Sequence, residues 1–153
     1  MHENIYFENQ SINSKLIYQT AFIWSRINQK IDKVLLPYNL NTAKFNILMV
    51  IKHSNNGDGL KQNEISEQLL TTKSNIAKML DKLEAEGLIT RNSVENDKRV
   101  KIIKVTKTCS EILDKIWKEY SICIDEISPQ ISEKAKKDLL NTLSEWLFIL
   151  NKS

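Results

Sequence analysis

Apolar positions recur along this chain at two different spacings. From about Ser11 to Leu36, Ile12, Leu16, Ile23, Ile27, Ile31 and Val34 return at helical intervals, with Trp24 and Leu35 widening the stripe. One long amphipathic helix is expected there. Pro37 closes it, and Tyr38 to Asn41 form a connector. Thr42 is placed to cap a second helix that carries Phe45, Leu48, Met49 and Lys52 on one face. The run Asn55-Asn56-Gly57-Asp58-Gly59 then gives the strongest turn signal in the chain.

The stretch from Leu60 to Thr106 organises the rest. Ile65 and Leu69 pattern a short helix, Thr71-Thr72 breaks it, and one of the two threonines caps the next. That next helix buries Ile76, Leu80 and Leu83 at i, i+4, i+7, with Ala77 and Met79 beside them, and Gly87 ends it in a left-handed conformation. Leu88 to Arg91 and Val100 to Val105 are short, β-branched and strand-like, and the segment between them, Asn92 to Arg99, is too polar to be buried. Two short helices followed by a hairpin outline a helix-turn-helix with a wing. A helix from Thr106 to about Ile127 follows, carrying Ile112, Leu113, Ile116, Trp117, Tyr120 and Ile124. Ser128-Pro129 interrupts, and Ser132 caps a last helix with Leu139, Leu143, Leu147, Leu150 and nearby Trp146. The fold class is therefore mainly α with a small β-hairpin wing. The first helix and the last two carry more apolar surface than one small winged module needs. Ile5, Tyr6 and Phe7 add an apolar patch in a polar tail, which needs something to dock on before it can order.

Composition narrows the partners. The 153 residues suit one domain, and the low count of 3 Gly and 2 Pro favours long regular elements. The net charge of +3 and pI near 8.8 permit contact with a polyanion without demanding it. No apolar run reaches the roughly 18 residues of a membrane span, and the N-terminus lacks the order of a signal peptide, so neither span nor leader is expected. Cys109 and Cys123, if on one helix, stand about 21 Å apart and cannot pair, which points to the reducing cytoplasm.

Enzymatic chemistry finds little to work with. His2 and His53 are the only histidines; His2 lies in the tail, and His53 suits a helix C-terminus. No G-x-S-x-G, P-loop or H-E-x-x-H occurs, and two histidines with two scattered cysteines make a poor metal set. No enzyme, cofactor or metal is expected. Both cysteines read as small buried hydrophobes.

Nucleic-acid chemistry fits better. A major groove admits one helix, whose N-terminal half reads base edges through short polar or cationic side chains. Thr72, Lys73, Ser74, Asn75 and Lys78 supply that set, although any solvated helix face carries such residues. The wing shifts the balance. Lys98 and Arg99 sit at or just after its tip, Arg91 and Lys101 lie along its strands, and an extended arginine gains from the potential of a narrow minor groove. Asp97 beside Arg99 makes sense as a carboxylate that orients the guanidinium.

Three segments resemble the multiple-antibiotic-resistance regulator (MarR) family of winged helix-turn-helix transcription factors. LKQNEISEQL is similar to the family's first helix of the helix-turn-helix. TTKSNIAKMLDKLEAEGLITR is similar to its recognition helix running into the wing, and ENDKRVKIIKVT to its Asp-[Arg/Lys]-Arg wing. The resemblance implies a single domain over 1–153, with a DNA-binding lobe at 42–106 and dimerisation helices at 5–36 and 107–151. It implies a homodimer joined through Ile5, Tyr6, Phe7, Ile12, Leu16, Ile124, Leu143, Trp146, Leu147 and Leu150. It also implies a pseudo-palindromic operator in double-stranded DNA, and a small aromatic or anionic effector in a crevice for which Trp24, Tyr38, Phe45 and Trp117 are candidates; each also fits plain core packing. The function it implies is that of a sequence-specific regulator, a repressor released by an effector. Two rivals stay open: a redox or metal sensor of the same fold, and a winged module that binds protein instead of DNA. Departures from the family pattern are Lys61, where Thr or Ser is common and caps the first helix of the motif, and Cys109, where Gly is frequent at the start of the fifth helix. The reactive cysteine that the peroxide-sensing branch carries in its first helix is absent here.

Overall fold

Six α-helices, two short 3-10 turns (Leu36–Tyr38 and Ser54–Gly57) and one hairpin are found among the described residues of the computed structural model, which are 10–94, 97–127 and 131–152. The side chains of Asn56, Val94, Asp97, Lys98 and Arg99 lie outside that description, as do Ile5, Tyr6, Phe7 and the Ser128-Pro129 break. The order is α1 (Ile12–Leu35), α2 (Thr42–His53), α3 (Gln62–Gln68), α4 (Lys73–Ala85), β1 (Ile89–Val94), β2 (Asp97–Val105), α5 (Lys107–Ile127) and α6 (Glu133–Leu150).

Capping residues set most of these boundaries. Ser11, Thr72 and Ser132 each accept a hydrogen bond from the backbone N–H three residues on, as their hydroxyls allow. The second helix departs from expectation. Its cap is Asn41, which accepts from the Lys44 N–H at 2.9 Å, and Thr42 is the first helical residue. Thr42 is buried, and both its N–H and its hydroxyl donate to Asp32 Oδ1 at 2.8 Å. A carboxylate from α1 thus occupies the positive end of α2, where anions are favoured. Lys61 at the start of α3 has no acceptor to offer, and Glu64 instead takes the Lys61 N–H at 2.7 Å.

The core joins α1 and α5 to the lobe. Ile31 and Leu35 from α1 cluster with Phe45, Leu48 and Ile51 from α2 and with Leu113 and Ile116 from α5. Ile65, Ile76, Leu80, Leu83, Ile89 and Ile103 extend the cluster through the helix-turn-helix and the wing. Lys52 ties α2 to α5, its Nζ donating to Ser110 O at 2.8 Å and to Asp114 Oδ1 at 2.6 Å. Thr106 joins the wing to α5, its hydroxyl donating to Gly87 O and accepting from the Cys109 N–H. Cys109 itself is buried one turn into α5, so the fifth helix starts cleanly without a glycine there.

The wing is longer than its apolar pattern implies. β1 and β2 pair antiparallel from Ile89↔Val105 to Val94↔Asp97, with an irregularity at Ser93/Val94. Backbone pairing does not stop where burial stops, so Asn92 and Ser93 continue the ladder opposite Ile102 and Lys101, and after the irregularity Val94 pairs with Asp97. Leu60 adds a one-residue bridge to Ile103, which brings Gly59 against the sheet.

Two glycines with positive φ therefore differ in what surrounds them. A Cβ on Gly59 (φ +86) would sit 2.5 Å from Ile103 O, whereas one on Gly87 (φ +70) would meet nothing within 4 Å. Gly87→Ala should cost about 1 kcal/mol, the penalty of the left-handed conformation alone. Gly59→Ala adds a backbone overlap and should cost at least about 2 kcal/mol. Urea denaturation at fixed protein concentration measures both, and equal losses would contradict the close approach of Gly59 to β2.

Candidate nucleic-acid interface

The rotation of α4 decides which of its residues can meet a ligand. Ile76, Leu80 and Leu83 are almost fully buried, which turns Lys73, Ser74, Asn75 and Lys78 outward. Thr72 is exposed too, although its hydroxyl is committed to the Asn75 N–H at 3.2 Å. All five residues expected to face a groove thus share the N-terminal, outward part of one helix. The helix start is steadied from α3, where Gln62 Nε2 donates to Lys73 O at 3.3 Å. Lys73 Nζ and Lys78 Nζ carry no ion pair among the described residues, so both charges remain open to phosphate.

At the wing, the structure assigns the cations different surroundings. Lys101 lies opposite Ser93 and donates to its hydroxyl at 2.9 Å. Arg91 is turned back to the recognition helix, with Nη2 at 2.7 Å from Asp81 and Nη1 at 3.1 Å from Glu84. Its charge is largely offset, and the contact braces the base of the wing against α4. Asp97, Lys98 and Arg99 belong to strand β2 and not to a loop; their side chains fall outside the described residues. Asp81 and Glu84 are residues that sequence reasoning missed. Their three-residue spacing puts them on one helix face, which is the signal that a cation could dock there.

A cavity of about 400 Å³ opens between α1, the start of α2 and α4. Trp24 and Asp32 line it from α1, Asn46 from α2, Thr71 from the turn, and Asn75 and Met79 from α4. The four aromatic residues expected around one crevice do not share it. Trp24 lines this cavity, whereas Trp117 lines a separate hollow of about 290 Å³ beside Met49 and His53. Phe45 is buried against Tyr120, ring centroids 5.0 Å apart, because its helical register with Leu48 points it into the core. Tyr38 donates its hydroxyl to Glu119 Oε1 at 2.7 Å, and that hydrogen bond pushes the phenol above its ordinary pKa. Among the described residues no cluster of His, Cys, Asp or Glu is placed to hold a metal. No helix among them is long and apolar enough to cross a membrane.

Comparison with known proteins bears on this geometry. A sequence model of the MarR family matches residues 38–100, the stretch from the α1–α2 connector through the wing. An uncharacterized HTH-type transcriptional regulator of Bacillus cereus is 30% identical over 106 residues, 65% of this chain and 68% of that protein. The chain belongs to the MarR family. Its fold is similar to that of AbsC, a MarR family regulator from Streptomyces coelicolor, at a TM-score of 0.83 and 16% identity over 94% of this chain and 98% of that one. It is also similar to MepR of S. aureus, solved as a DNA complex, at a TM-score of 0.78 and 24% identity over 85% of this chain and 94% of that one. The Bacillus cereus relative and AbsC are both described as transcriptional regulators.

Within the MarR fold, the two cysteines occupy unlike sites. Cys109 is buried in the core between wing and α5, and Cys123 is half-buried further along α5. Burial pushes the Cys109 thiol up to about 11, against a smaller opposing pull from the Lys52 charge. A thiol whose folded pKa exceeds its unfolded value binds its proton more tightly when folded. Its contribution to stability is thus complete below pH 9, and falls as pH rises from 9 through 11. Iodoacetamide should therefore modify Cys123 well before Cys109 in native protein at pH 8, by peptide mass mapping, and Cys109→Ala should flatten the loss of stability between pH 9 and 10. Faster labelling of Cys109 would overturn its assignment as a core residue.

Proposed function

We propose that this MarR-family regulator binds a pseudo-palindromic operator as a homodimer and represses transcription until a small effector releases it. The observation that carries the reading is the outward N-terminal half of α4. Lys73, Ser74, Asn75 and Lys78 are exposed on a helix whose rotation is locked by three buried residues. In a major groove, Ser74 and Asn75 would meet base edges, with the two lysines on phosphates. Lys98 and Arg99 would reach the adjacent minor groove from β2. The likeness to a fold that MepR presents to DNA supports the same orientation.

The partner needed for a palindrome is a second copy. Ile12, Leu16, Leu143, Leu147 and Leu150 are 41 to 79% exposed, and α6 buries none of its residues among those described. Monomers seldom leave so large an apolar surface in water. The dimerisation helices are α1, α5 and α6, and the lobe from 42 to 106 carries the reading surface. Trp146 and Ile124 belong to the same apolar faces, and Ile5, Tyr6 and Phe7 would add to them. Effector control follows from the cavity between α1 and α4, because a ligand there contacts both the dimerising helix and the recognition helix. It shifts operator binding only if it prefers the spacing of recognition helices that does not fit DNA. As a reader of chromosomal operators, the protein acts in the cytoplasm.

Selection of bound fragments from random DNA tests the reading directly and should return a two-fold symmetric site. On that site Arg99→Ala should weaken binding by roughly 1–3 kcal/mol, and Lys73→Ala should reduce the slope of log K against log salt by about 1. Unchanged binding by Arg99→Ala removes the wing assignment. A winged module that docks on protein would show no steep salt dependence. Leu143→Glu with Leu147→Glu should yield monomers by sedimentation with helical content retained. A persisting dimer would place the interface elsewhere.

A further inference from the structure

The cavity between α1 and α4 has a charge pattern that specifies its ligand, an inference that rests on the effector-responsive reading above. Asp32 is the one ionisable side chain on its wall, and no Lys, Arg or His lines it among the described residues. Four asparagines do: Asn28, Asn41, Asn46 and Asn75. A helix N-terminus is the usual anion-binding feature where basic side chains are missing. Here that feature is taken, because the start of α2 is already met by the Asp32 carboxylate through the Thr42 N–H and hydroxyl. The second carboxylate oxygen accepts from Asn28 Nδ2 at 3.3 Å. A bound carboxylate would therefore face the Asp32 carboxylate with no cationic side chain on the described wall to offset the repulsion. A cation would gain from Asp32 and from the indole face of Trp24, which is 56% exposed on the cavity wall.

Hydrogen bonding points the same way. Asn28 and Asn41 are spent within the fold, Asn28 on Asp32 and Asn41 on the Lys44 N–H. The side-chain amides of Asn46 and Asn75 make no hydrogen bond within the described residues, and each offers a donor and an acceptor to a ligand. We propose that this cavity takes a flat aromatic ligand, neutral or cationic, whose amide- or amidinium-like edge meets Asn46 and Asn75, and that it rejects aromatic carboxylates. Of the two effector classes expected from the sequence, the proposal takes the aromatic one for this cavity and not the anionic one. The contact at Asn75 places the ligand against a side chain that would otherwise reach for a base.

Three probes of one shape test the proposal: 2-naphthoate, 2-naphthamide and 2-naphthamidine, titrated into the full-length chain by calorimetry, with backbone NMR shifts of Thr71 and Asn75 locating the site. The amide and the amidine should bind at least tenfold tighter than the naphthoate and move both resonances. Asp32→Asn, which keeps an acceptor for Thr42, should weaken the amidine and narrow its lead over the naphthoate. Trp24→Leu should weaken binding of both favoured probes. Naphthoate binding as tightly as the others, or no probe moving Thr71 and Asn75, overturns the assignment. Operator binding by the same unliganded protein is measured in parallel. If DNA binds but the charge order fails, only the ligand class is wrong; if DNA does not bind, the regulator reading fails whatever the cavity prefers.

Discussion

A helix can be rotated about its axis in only one way once three of its residues are buried, and this constraint on α4 governs the rest of the protein. Ile76, Leu80 and Leu83 fix that rotation. Everything outward follows from it, including the polar N-terminal face and the position of Asp81 and Glu84. Those two carboxylates hold Arg91, so the same rotation also sets the angle of the wing. Thr106 also ties the base of the hairpin to α5. The fourth helix, the wing and the fifth helix are thus tied to one another by side-chain contacts.

A second constraint acts from outside the lobe. The C-terminal part of α1 is core, with Ile31 and Leu35 buried, while its N-terminal part exposes Ile12, Leu16 and Ile23. One helix therefore serves two interfaces, the lobe at one end and, on our reading, a second chain at the other. The cavity lies where these roles meet, beside Trp24 and Asp32. A ligand placed there has leverage on both, and the Asp32–Thr42 contact in its wall is also what fastens α1 to the start of α2.

Elements whose cause is local were legible in the sequence. The stripe of α4, a threonine cap at Thr71 or Thr72, the stop at Gly87 and the sequence of helices all came from spacing and turn chemistry; the structure picks Thr72. Features with tertiary causes were not. Thr42 has the residue type of a cap, but Asp32, ten residues away, draws it into the helix and leaves Asn41 to cap. Arg91 reads as one more basic residue of the wing until Asp81 and Glu84 are seen to hold it. Phe45 and Trp24 look alike as aromatic candidates, and only packing separates a core ring from a cavity wall. The wing was read short because apolar alternation reports burial, whereas its strands continue on backbone pairing alone. The polar set at the start of α4 was legible as residues; that it is exposed in the fold required the structure.

The central claim is that two copies of α4 read one site in register. Hydroxyl-radical footprinting on the selected operator measures this most directly. The account predicts two equivalent sets of protections about a two-fold centre, with the recognition helices spaced by one helical turn, about 10 base pairs, and flanking minor-groove protection from the wings. A single, asymmetric patch of protection would contradict it.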